Sequence, residues 1–558
     1  MYKKNLENWL NSNVIDEADK KAVLSVKDNE ELEDMFYKNL EFGTAGLRGI
    51  IGPGSNRMNI YTVGLATQAF SNVINSKDYT YAEKAIAIVY DVRHMSKEFA
   101  EMAARCFAAN GIKVYLKKEN GTTPFLSFLI RELKLAGGVM ITASHNPKNY
   151  NGYKAYWEEG SQILEDLAGE IKEQVEKISF EEIKLIDLEE GFNKNIIQYL
   201  DGEIYKKYIN DILNKKIEDE NIDKNIKIVY SPLNGTGSIP VREVLEKRGF
   251  NNLFYVKEEL DPDPDFKTTN YPNPENQKVF KLSEKLGREE ASDILIATDP
   301  DCDRAAIEVR DKNGDYIFFN GNKIGALLVN YILERLNAKK KLKGNEVVVK
   351  SIVTGDLTKY ICEKYGIELV EVLTGFKNIA EVANKLDKTN DKKYLFGFEE
   401  SIGYCYTGSV RDKDAVNSSM MIAEMAAYYK KNGLTLLDVL EKLYEEHGYF
   451  FEKLNQVVLE GINGREKIKE IMSKFRNEKI EKIGDMNLVK MIDYLNSDTG
   501  LAKSDVLKFL FDDGSWFAVR PSGTEPKIKF YIYSRDMDKD KSKKKLLQIE
   551  KYIDERLN

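Results

Sequence analysis

Apolar positions along the chain recur in one order three times over. In "AIAIVYDVRHMSKEFAEMAARCFAANGIKVYL" (85–116) a β-branched apolar run gives way to a polar loop. Apolar residues at helical spacing follow, then a glycine and a second apolar run. The segments "IKIVYSPLNGTGSIPVREVLEKRGFNNLFYV" (226–256) and "NEVVVKSIVTGDLTKYICEKYGIELVEVL" (345–373) repeat that order. The spacing predicts strand, helix, glycine turn and strand in each. A further apolar strand follows every unit and runs straight into a polar loop: "GGVMITASHNP" (137–147), "SDILIATDPDCDR" (292–304) and "YLFGFEESIGY" (394–404). Such units build helix-covered sheets, with ligands beyond the carboxyl ends of the strands. Unrelated helix–sheet domains would share this common grammar, so the repeat is an expectation about architecture.

The last part differs. After "LTLLDVLEKLYEEHGYFFEKLNQ" (434–456) come an amphipathic helix around "GREKIKEIMSKFR" (464–476) and the stretch "DVLKFLFDDGSWFAVRPSGTEPKIKFYIYS" (505–534). That stretch reads as two aromatic-rich strands joined by turns, and "KKKLLQIEKYIDERL" (543–557) as a closing helix. The fold class expected is α/β: three related mixed α/β domains plus a fourth, smaller α+β C-terminal domain around a central cleft. Boundaries are placed at 1–200, 201–320, 321–450 and 451–558, with glycine-rich polar segments before the fourth domain offering a hinge.

Composition narrows the function classes. A chain of 558 residues exceeds one hydrophobic core, and 42% apolar with 31% charged residues is ordinary for a soluble globular protein. With 83 basic against 91 acidic residues the net charge is −8, which argues against nucleic acid as a partner; an anionic substrate needs locally gathered Arg and Lys. Neither an apolar leader nor a run long enough to span a membrane is evident. Cys106, Cys302, Cys362 and Cys405 lie far apart without CxxC spacing, as reduced thiols of a cytoplasmic protein do.

Four polar loops are candidates for chemistry. In "ITASHNPKNYNGYKAYW" (141–157) Ser144 stands beside His145, yet adjacent side chains of an extended segment face opposite ways, which makes His145 a poor base for it. Thr142 and Asn146 occupy the glycine positions of a nucleophile elbow, so that motif fails, and turn capping by Ser144 and Asn146 is the plainer reading. "TDPDCDR" sets Asp299, Asp301 and Asp303 at alternate positions after a strand. Two carboxylates ~4 Å apart repel by about 4 kcal/mol at an effective dielectric near 20, so three together call for a cation unless they splay outward as a solvated acidic turn. An EF-hand needs Gly and a bidentate Glu where Arg304 and Arg310 stand; hard oxygen ligands without histidine suit Mg²⁺, which usually also meets a phosphate, and that points back to Ser144 as a phosphate carrier. "GFEESIGY" offers Glu399 and Ser401, a pair that suits sugar hydroxyls and is also common surface chemistry. "AVRPSGTEPKIKFY" combines Arg520, Ser522, Gly523 and Thr524 as a phosphate clamp without Walker spacing, or forms a plain β-turn. Pro240 spoils the dinucleotide fingerprint in "NGTGSIP", and three histidines (His94, His145, His447) are too few for a His-rich zinc site.

Taken together, "GTAGLRG" (43–49), "DVRHMS" (91–96), "TASHNPKNYNGYKAYW" (142–157), "TDPDCDR" (298–304), "TGFK" (374–377), "GFEESIGY" (397–404), "RDKDA" (411–415) and "RPSGTEPKIKFY" (520–531) resemble, in that order, the α-D-phosphohexomutase family and its phosphoglucomutase/phosphopentomutase branch. The resemblance implies a four-domain enzyme that interconverts glucose 1-phosphate and glucose 6-phosphate, with glucose 1,6-bisphosphate as activator and intermediate. It implies that Ser144 carries the phosphoryl group and completes a Mg²⁺ site made by Asp299, Asp301 and Asp303. Arg48, His145 and Lys154 then surround the transferring group, with Lys154 and His145 both open as the proton-handling residue. Arg304, Thr374, Gly375, Glu399, Ser401 and Lys413 contact substrate, with Arg48 and Asp303 sharing that role. Arg520, Ser522, Gly523 and Thr524 hold the phosphate that is not being transferred. Partners implied are hexose phosphates, with no nucleic acid or membrane, in a monomer or homodimer. Family members differ around the third-domain loop, so phosphomannomutase, phosphopentomutase or glucose 1,6-bisphosphate synthase activity are the nearest alternatives. A non-catalytic sugar-phosphate binder would need neither Ser144 nor the three aspartates.

Overall fold

The computed structural model describes residues 2–43, 46–79, 84–459, 464–522 and 527–557. Three of its four sheets are built on one plan. In the first, the fully buried Ala85–Tyr90 lies between the parallel strands Lys113–Leu116 and Gly137–Ile141, and Tyr150–Trp157 returns antiparallel to Gly137–Ile141. In the second, Lys227–Ser231 lies between the parallel Asn252–Tyr255 and Ile294–Thr298, and Ala305–Arg310 returns antiparallel. In the third, Glu346–Ser351 lies between the parallel Glu368–Val372 and Lys393–Glu399, and Gly403–Tyr406 returns antiparallel. Each central strand is sheltered on both faces by helices, which is why these runs are continuously apolar rather than alternating.

The common plan places one tight turn at the same point of each unit, where the third strand reverses into the fourth. These turns are 142–149, 299–304 and 400–402, the polar loops singled out above. Each bends through one non-glycine residue in the left-handed region: Ser144 at φ 52°, Cys302 at φ 55° and Ile402 at φ 55°. Such residues cost of order 1–3 kcal/mol and persist only where the surroundings over-determine them.

The fourth sheet is antiparallel throughout, in the order Tyr449–Val458, Lys527–Asp536, Trp516–Pro521, Leu507–Phe511, Met486–Asp493, Lys482–Ile483. Two strands were expected over 505–534; there are three. The aromatic run is broken at Asp513–Gly514, where Gly514 at φ 86° turns a tight hairpin and Phe511 donates its N–H to the Ser515 carbonyl, 2.9 Å.

One apolar core runs through the first three units, from Ala85 and Tyr208 to Tyr404 and Leu443. The fourth unit has its own core around Phe475, Phe509, Phe517 and Phe530. A smaller cluster of Ile352 and Val353 with Tyr494, Trp516, Tyr531 and Tyr533 seams it to the third. Along that seam the buried Lys350 pairs with Asp356 (2.5 Å) and Glu371 (3.0 Å), and the Trp516 indole N–H donates to Asp356 (2.9 Å). The chain enters the fourth unit through Gly448 at φ 99°.

Candidate active site

Ser144 owes its position to a buried anchor on the central strand's own loop. Asp91 accepts from Thr142 Oγ1 (2.6 Å) and Ser96 Oγ (2.7 Å), and Thr142 Oγ1 in turn accepts the Ser144 N–H (2.8 Å). Arg93, 3% exposed, pairs with Asp91 at 3.3 Å. Its guanidinium donates to the carbonyls of Ser144 (2.6 Å), Pro147 (2.8 Å) and Tyr150 (3.0 Å), and also to that of Asn146. The loop is therefore held by its backbone, which leaves its side chains for other work. Ser144 is 3% exposed, and its Oγ donates to Asp299 Oδ2 at 2.8 Å. His145 Nδ1 lies 3.2 Å from the same Oγ. This corrects the sequence-level expectation that the two side chains face apart: that holds for extended backbone, and the left-handed turn at Ser144 brings them together.

The three aspartates converge. One ligand oxygen of each lies within 4.8 Å of the others, and all three side chains are buried. At that separation each pair repels by about 3.5 kcal/mol or more at an effective dielectric near 20. Asp299 Oδ1 accepts the N–H groups of Asp303 and Arg304, both at 3.0 Å, which fixes the loop. Asp301 Oδ2 accepts from Thr123 Oγ1 (2.7 Å) and Lys154 Nζ (2.8 Å), and Asp303 Oδ2 faces Lys413 Nζ (3.1 Å) and Lys154 Nζ (3.5 Å). Asp301 Oδ1 and Asp303 Oδ1 are buried with no hydrogen-bond partner among the described residues. With two orphaned carboxylate oxygens, the three-aspartate cluster offers an all-oxygen donor set, and such a set fits a hard divalent cation. Burial, then the charges of Asp301 and Asp303, push Asp299 well above the usual carboxylate range. Asp303 goes the other way: burial opposes it, but Lys413, Lys154 and Arg304 hold it ionised.

The surrounding cations are held charged by the cluster they face. Burial would lower Lys154, but Asp301 and Asp303 raise it above its ordinary value; Lys413 is raised by Asp303 and Asp412 against the same penalty. Arg304 is likewise raised, by Glu275 and Asp303. His145 behaves oppositely: burial, Arg304 and Arg48 push it well below 6.5, so its imidazole is neutral at neutral pH. Arg48, exposed at the rim, donates to Asn146 Oδ1 at 3.3 Å.

From the third unit, Glu399 accepts the Gly375 N–H at 2.7 Å and so ties the Thr374–Gly375 turn to the strand end. The charge of Glu399 is felt by both Arg304 and Lys413, which places this loop against the cluster. Ser401 lies half-buried in the third turn. The loops are also stitched to one another: Thr123 N–H reaches the Asp301 carbonyl (2.9 Å), Ala305 N–H that of Ile402 (3.1 Å), and Ala415 N–H that of Cys302 (3.2 Å). In the fourth unit, Arg520 pairs across the sheet with Lys529, and Ser522 N–H closes on the Lys527 carbonyl (2.8 Å). Gly523 and Thr524 lie outside the described residues. Burial lowers Lys529 from its ordinary value, against the charges of Glu275 and Glu400, which raise it.

Sequence reasoning assigned no role to Asp91, Arg93, Thr123, Asp412, Glu275 or Lys529. Asp91 and Arg93 had a signal, since an Asp-x-Arg directly after a central strand of such a sheet sits where ligands collect. Thr123 and Glu275 had none: Thr123 meets Asp301 only where two units approach, and Glu275 meets Arg304 only through the folding of its own unit.

Four family models match in order. They are the phosphoglucomutase/phosphomannomutase alpha/beta/alpha domains I (39–182), II (206–314) and III (320–447) and the C-terminal domain (465–545). A phosphoglucomutase of Staphylococcus haemolyticus (strain JCSC1435) is 37% identical over 512 residues, covering 90% of this chain and 91% of that protein. A phosphoglucomutase of Staphylococcus epidermidis (strain ATCC 35984) is 36% identical over 536 residues, covering 94% and 96%. The crystal structure of the phosphoglucomutase pp63/parafusin from Paramecium superposes with a TM-score of 0.70 over 93% of this chain and 95% of that one, at 20% identity, which shows the shared fold. The chain belongs to the phosphoglucomutase/phosphomannomutase family, and it is a mutase enzyme of that family.

Proposed function

We propose that this enzyme is a phosphoglucomutase that interconverts glucose 1-phosphate and glucose 6-phosphate through phospho-Ser144 and a glucose 1,6-bisphosphate intermediate. The observation that carries the reading is the Ser144 hydroxyl 2.8 Å from Asp299, inside three buried aspartates and beneath Lys154, Lys413 and Arg304. Mg²⁺ would be held by Asp299, Asp301 and Asp303 with a Ser144 phosphate oxygen, and when bound it neutralises charge on the phosphoryl oxygens. The protein's own part is positioning and charge, as phosphoryl transfer requires. Arg93 fixes the Ser144 backbone, and Lys154 and Arg48 bring positive charge to the phosphoryl group. The neutral His145 beside Oγ can accept a proton, and Lys154, held as an ammonium, can give one; together they serve transfer in both directions.

Glu399, Ser401 and the Thr374–Gly375 turn contact the sugar hydroxyls, and Lys413 and Arg304 line the same pocket. Arg520, Ser522, Gly523 and Thr524 grip the phosphate not undergoing transfer. Because the bisphosphate turns over between half-reactions, this grip accepts either end of it, and the fourth unit moves over the cleft to retain it. The four cysteines are free and buried, which fits work in a reducing cytoplasm; no helix among the described residues is long and apolar enough to cross a membrane.

The test is a panel of sugar 1-phosphates assayed with Mg²⁺ and glucose 1,6-bisphosphate, with intact mass read on the isolated enzyme. One added phosphate on the wild-type protein, none on Ser144→Ala, and glucose 1-phosphate as the best substrate are expected. Substantial mutase turnover by Ser144→Ala would refute the phosphoserine role.

A further inference from the structure

The second unit sends a segment without regular secondary structure, residues 261–276, across to the serine loop of the first. Its sequence, "DPDPDFKTTNYPNPEN", holds four of the chain's 12 prolines, which limits the freedom it loses on folding. It is rooted in its own unit, where the Asn234 amide donates to the Asp261 carbonyl at 2.9 Å and Asp263 N–H reaches the Asn234 carbonyl at 3.2 Å. From there four of its residues make five contacts with catalytic-loop residues or their neighbours. Asp265 takes His94 and Lys148, both at 3.2 Å. Phe266, fully buried at φ 44°, lies under the Arg93 guanidinium at 5.1 Å. Tyr271 meets the His145 ring edge-on, with centroids 5.7 Å apart and planes at 89°. Glu275 pairs with Arg304 at 3.5 Å and is itself set by Asn273, whose side-chain oxygen accepts its N–H at 3.0 Å.

We propose that residues 261–276 form a strap over the phosphoserine loop, in which Tyr271 and Glu275 are positioning residues. Tyr271 fixes the imidazole of His145 beside Oγ, and Glu275 fixes the guanidinium of Arg304. This rests on the phosphoserine reading above. The reaction it suppresses is hydrolysis: water attacks phosphorus, the P–Oγ bond breaks, and Oγ takes up the proton that the water gives, releasing inorganic phosphate. An enzyme that stores a phosphoryl group between turnovers must make that step slow relative to transfer to sugar. Tyr271 acts through His145, which lies 3.2 Å from Oγ, so losing the tyrosine ring frees an imidazole beside the bond at risk.

The full-length enzyme is charged with glucose 1,6-bisphosphate and stripped of sugar, and phosphate retention is followed by intact mass; single-turnover transfer to glucose 6-phosphate is measured in parallel. In Tyr271→Ala the phosphoserine should be lost to water up to about tenfold faster, in line with one aromatic edge contact, while Tyr271→Phe keeps the wild-type lifetime. Glu275→Gln, of equal size, should raise the KM for sugar phosphate several-fold, with kcat within about twofold. A strap with only a folding role would move both readouts alike and would not be rescued by Phe. Phosphate on the wild type with the same lifetime in Tyr271→Ala, or an unchanged KM in Glu275→Gln, overturns the strap alone. A wild-type enzyme that never carries phosphate overturns the phosphoserine reading itself.

Discussion

Arg93 makes no contact with substrate in the proposed scheme, yet it is the residue whose loss the site should tolerate least. Its guanidinium serves four carbonyls of residues 144–150 and the buried carboxylate of Asp91. Removing one partner of a buried ion pair costs about 3–5 kcal/mol, because the other charge is left without compensation. Asp91 can escape part of that penalty by taking a proton, since burial already pushes it above the usual carboxylate range. The four carbonyls cannot escape in that way, and unsatisfied buried groups cost about 1–3 kcal/mol each before water enters the vacated space. Arg93→Ala is therefore expected to destabilise the first unit by about 3–5 kcal/mol. Arg93→Lys retains the charge but replaces a five-donor planar fork with a point donor. It should leave about two carbonyls unserved, at about 2–3 kcal/mol. The local consequence exceeds the global one, because Ser144 at φ 52° stays there only while its loop is pinned. Hydrogen exchange over 142–150 and the rate of Ser144 phosphorylation by glucose 1,6-bisphosphate read this directly, and both should change in Arg93→Lys although the protein still folds. Amides of 142–150 as protected as in wild type, with phosphorylation within about twofold, would refute the reasoning.

Asp301→Asn removes a ligand charge but keeps a side-chain oxygen. The Mg²⁺ concentration for half-maximal turnover should rise at least about tenfold, since even outer-shell changes at metal sites cost that much; an unchanged Mg²⁺ titration would remove Asp301 from the metal site. Glu308 is fully buried with neither carboxylate oxygen in a well-formed hydrogen bond, and burial, with Glu284 adding to it and the nearby Gln277 opposing, pushes it up to about 7. The folded protein thus binds a proton that the unfolded chain releases near the ordinary value of 4.5, so the contribution of Glu308 to stability is greatest below that value and is lost as pH rises to about 7. The loss is at most about 3 kcal/mol, and Glu308→Gln, which mimics the protonated acid, should melt above wild type at pH 8 and with it at pH 5; equal melting at both pH values would contradict the assignment.

The parts of this molecule legible in the sequence are those that short-range pattern encodes. The threefold repeat followed from β-branched runs and helical spacing, because a strand covered on both faces must be apolar along its whole length. The Asp299, Asp301, Asp303 cluster followed from alternation and charge alone. The serine's neighbourhood did not: the rule that neighbours in extended chain face apart assumes φ below zero, and nothing in "ASHN" announces a left-handed serine. The extra strand near Gly514 went unread because the aromatic residues on either side made one long run. Arg93 carried a signal in its place after a central strand that went unused, whereas Thr123 and Glu275 were silent because their partners Asp301 and Arg304 lie far away in the chain.

The repeat also explains why the chemistry is divided as it is. Each of three equivalent turns presents side chains at the same place on the same scaffold, so the units differ in what they bring and not in how they bring it: a hydroxyl, three carboxylates, or a carboxylate with a serine. None of these turns is relaxed, and in none does a glycine occupy the left-handed position. The first is pinned within its own unit by Asp91 and Arg93, and all three are then tied to one another: Asp299 takes the Ser144 hydroxyl, Asp301 takes Thr123, and Ile402 and Cys302 give their carbonyls to Ala305 and Ala415. Folding of the three units and assembly of the site are then one event, and the reacting groups cannot drift apart by unit motion without breaking the contacts that stabilise their backbones. The fourth unit stands outside that mutual support, with its own core and a seam to the third unit through Trp516, Asp356 and Lys350. In the proposed scheme transfer geometry stays constant while the intermediate reverses, and that division serves it: three units fixed against one another, and a fourth whose proposed grip on the distal phosphate would be released without disturbing them.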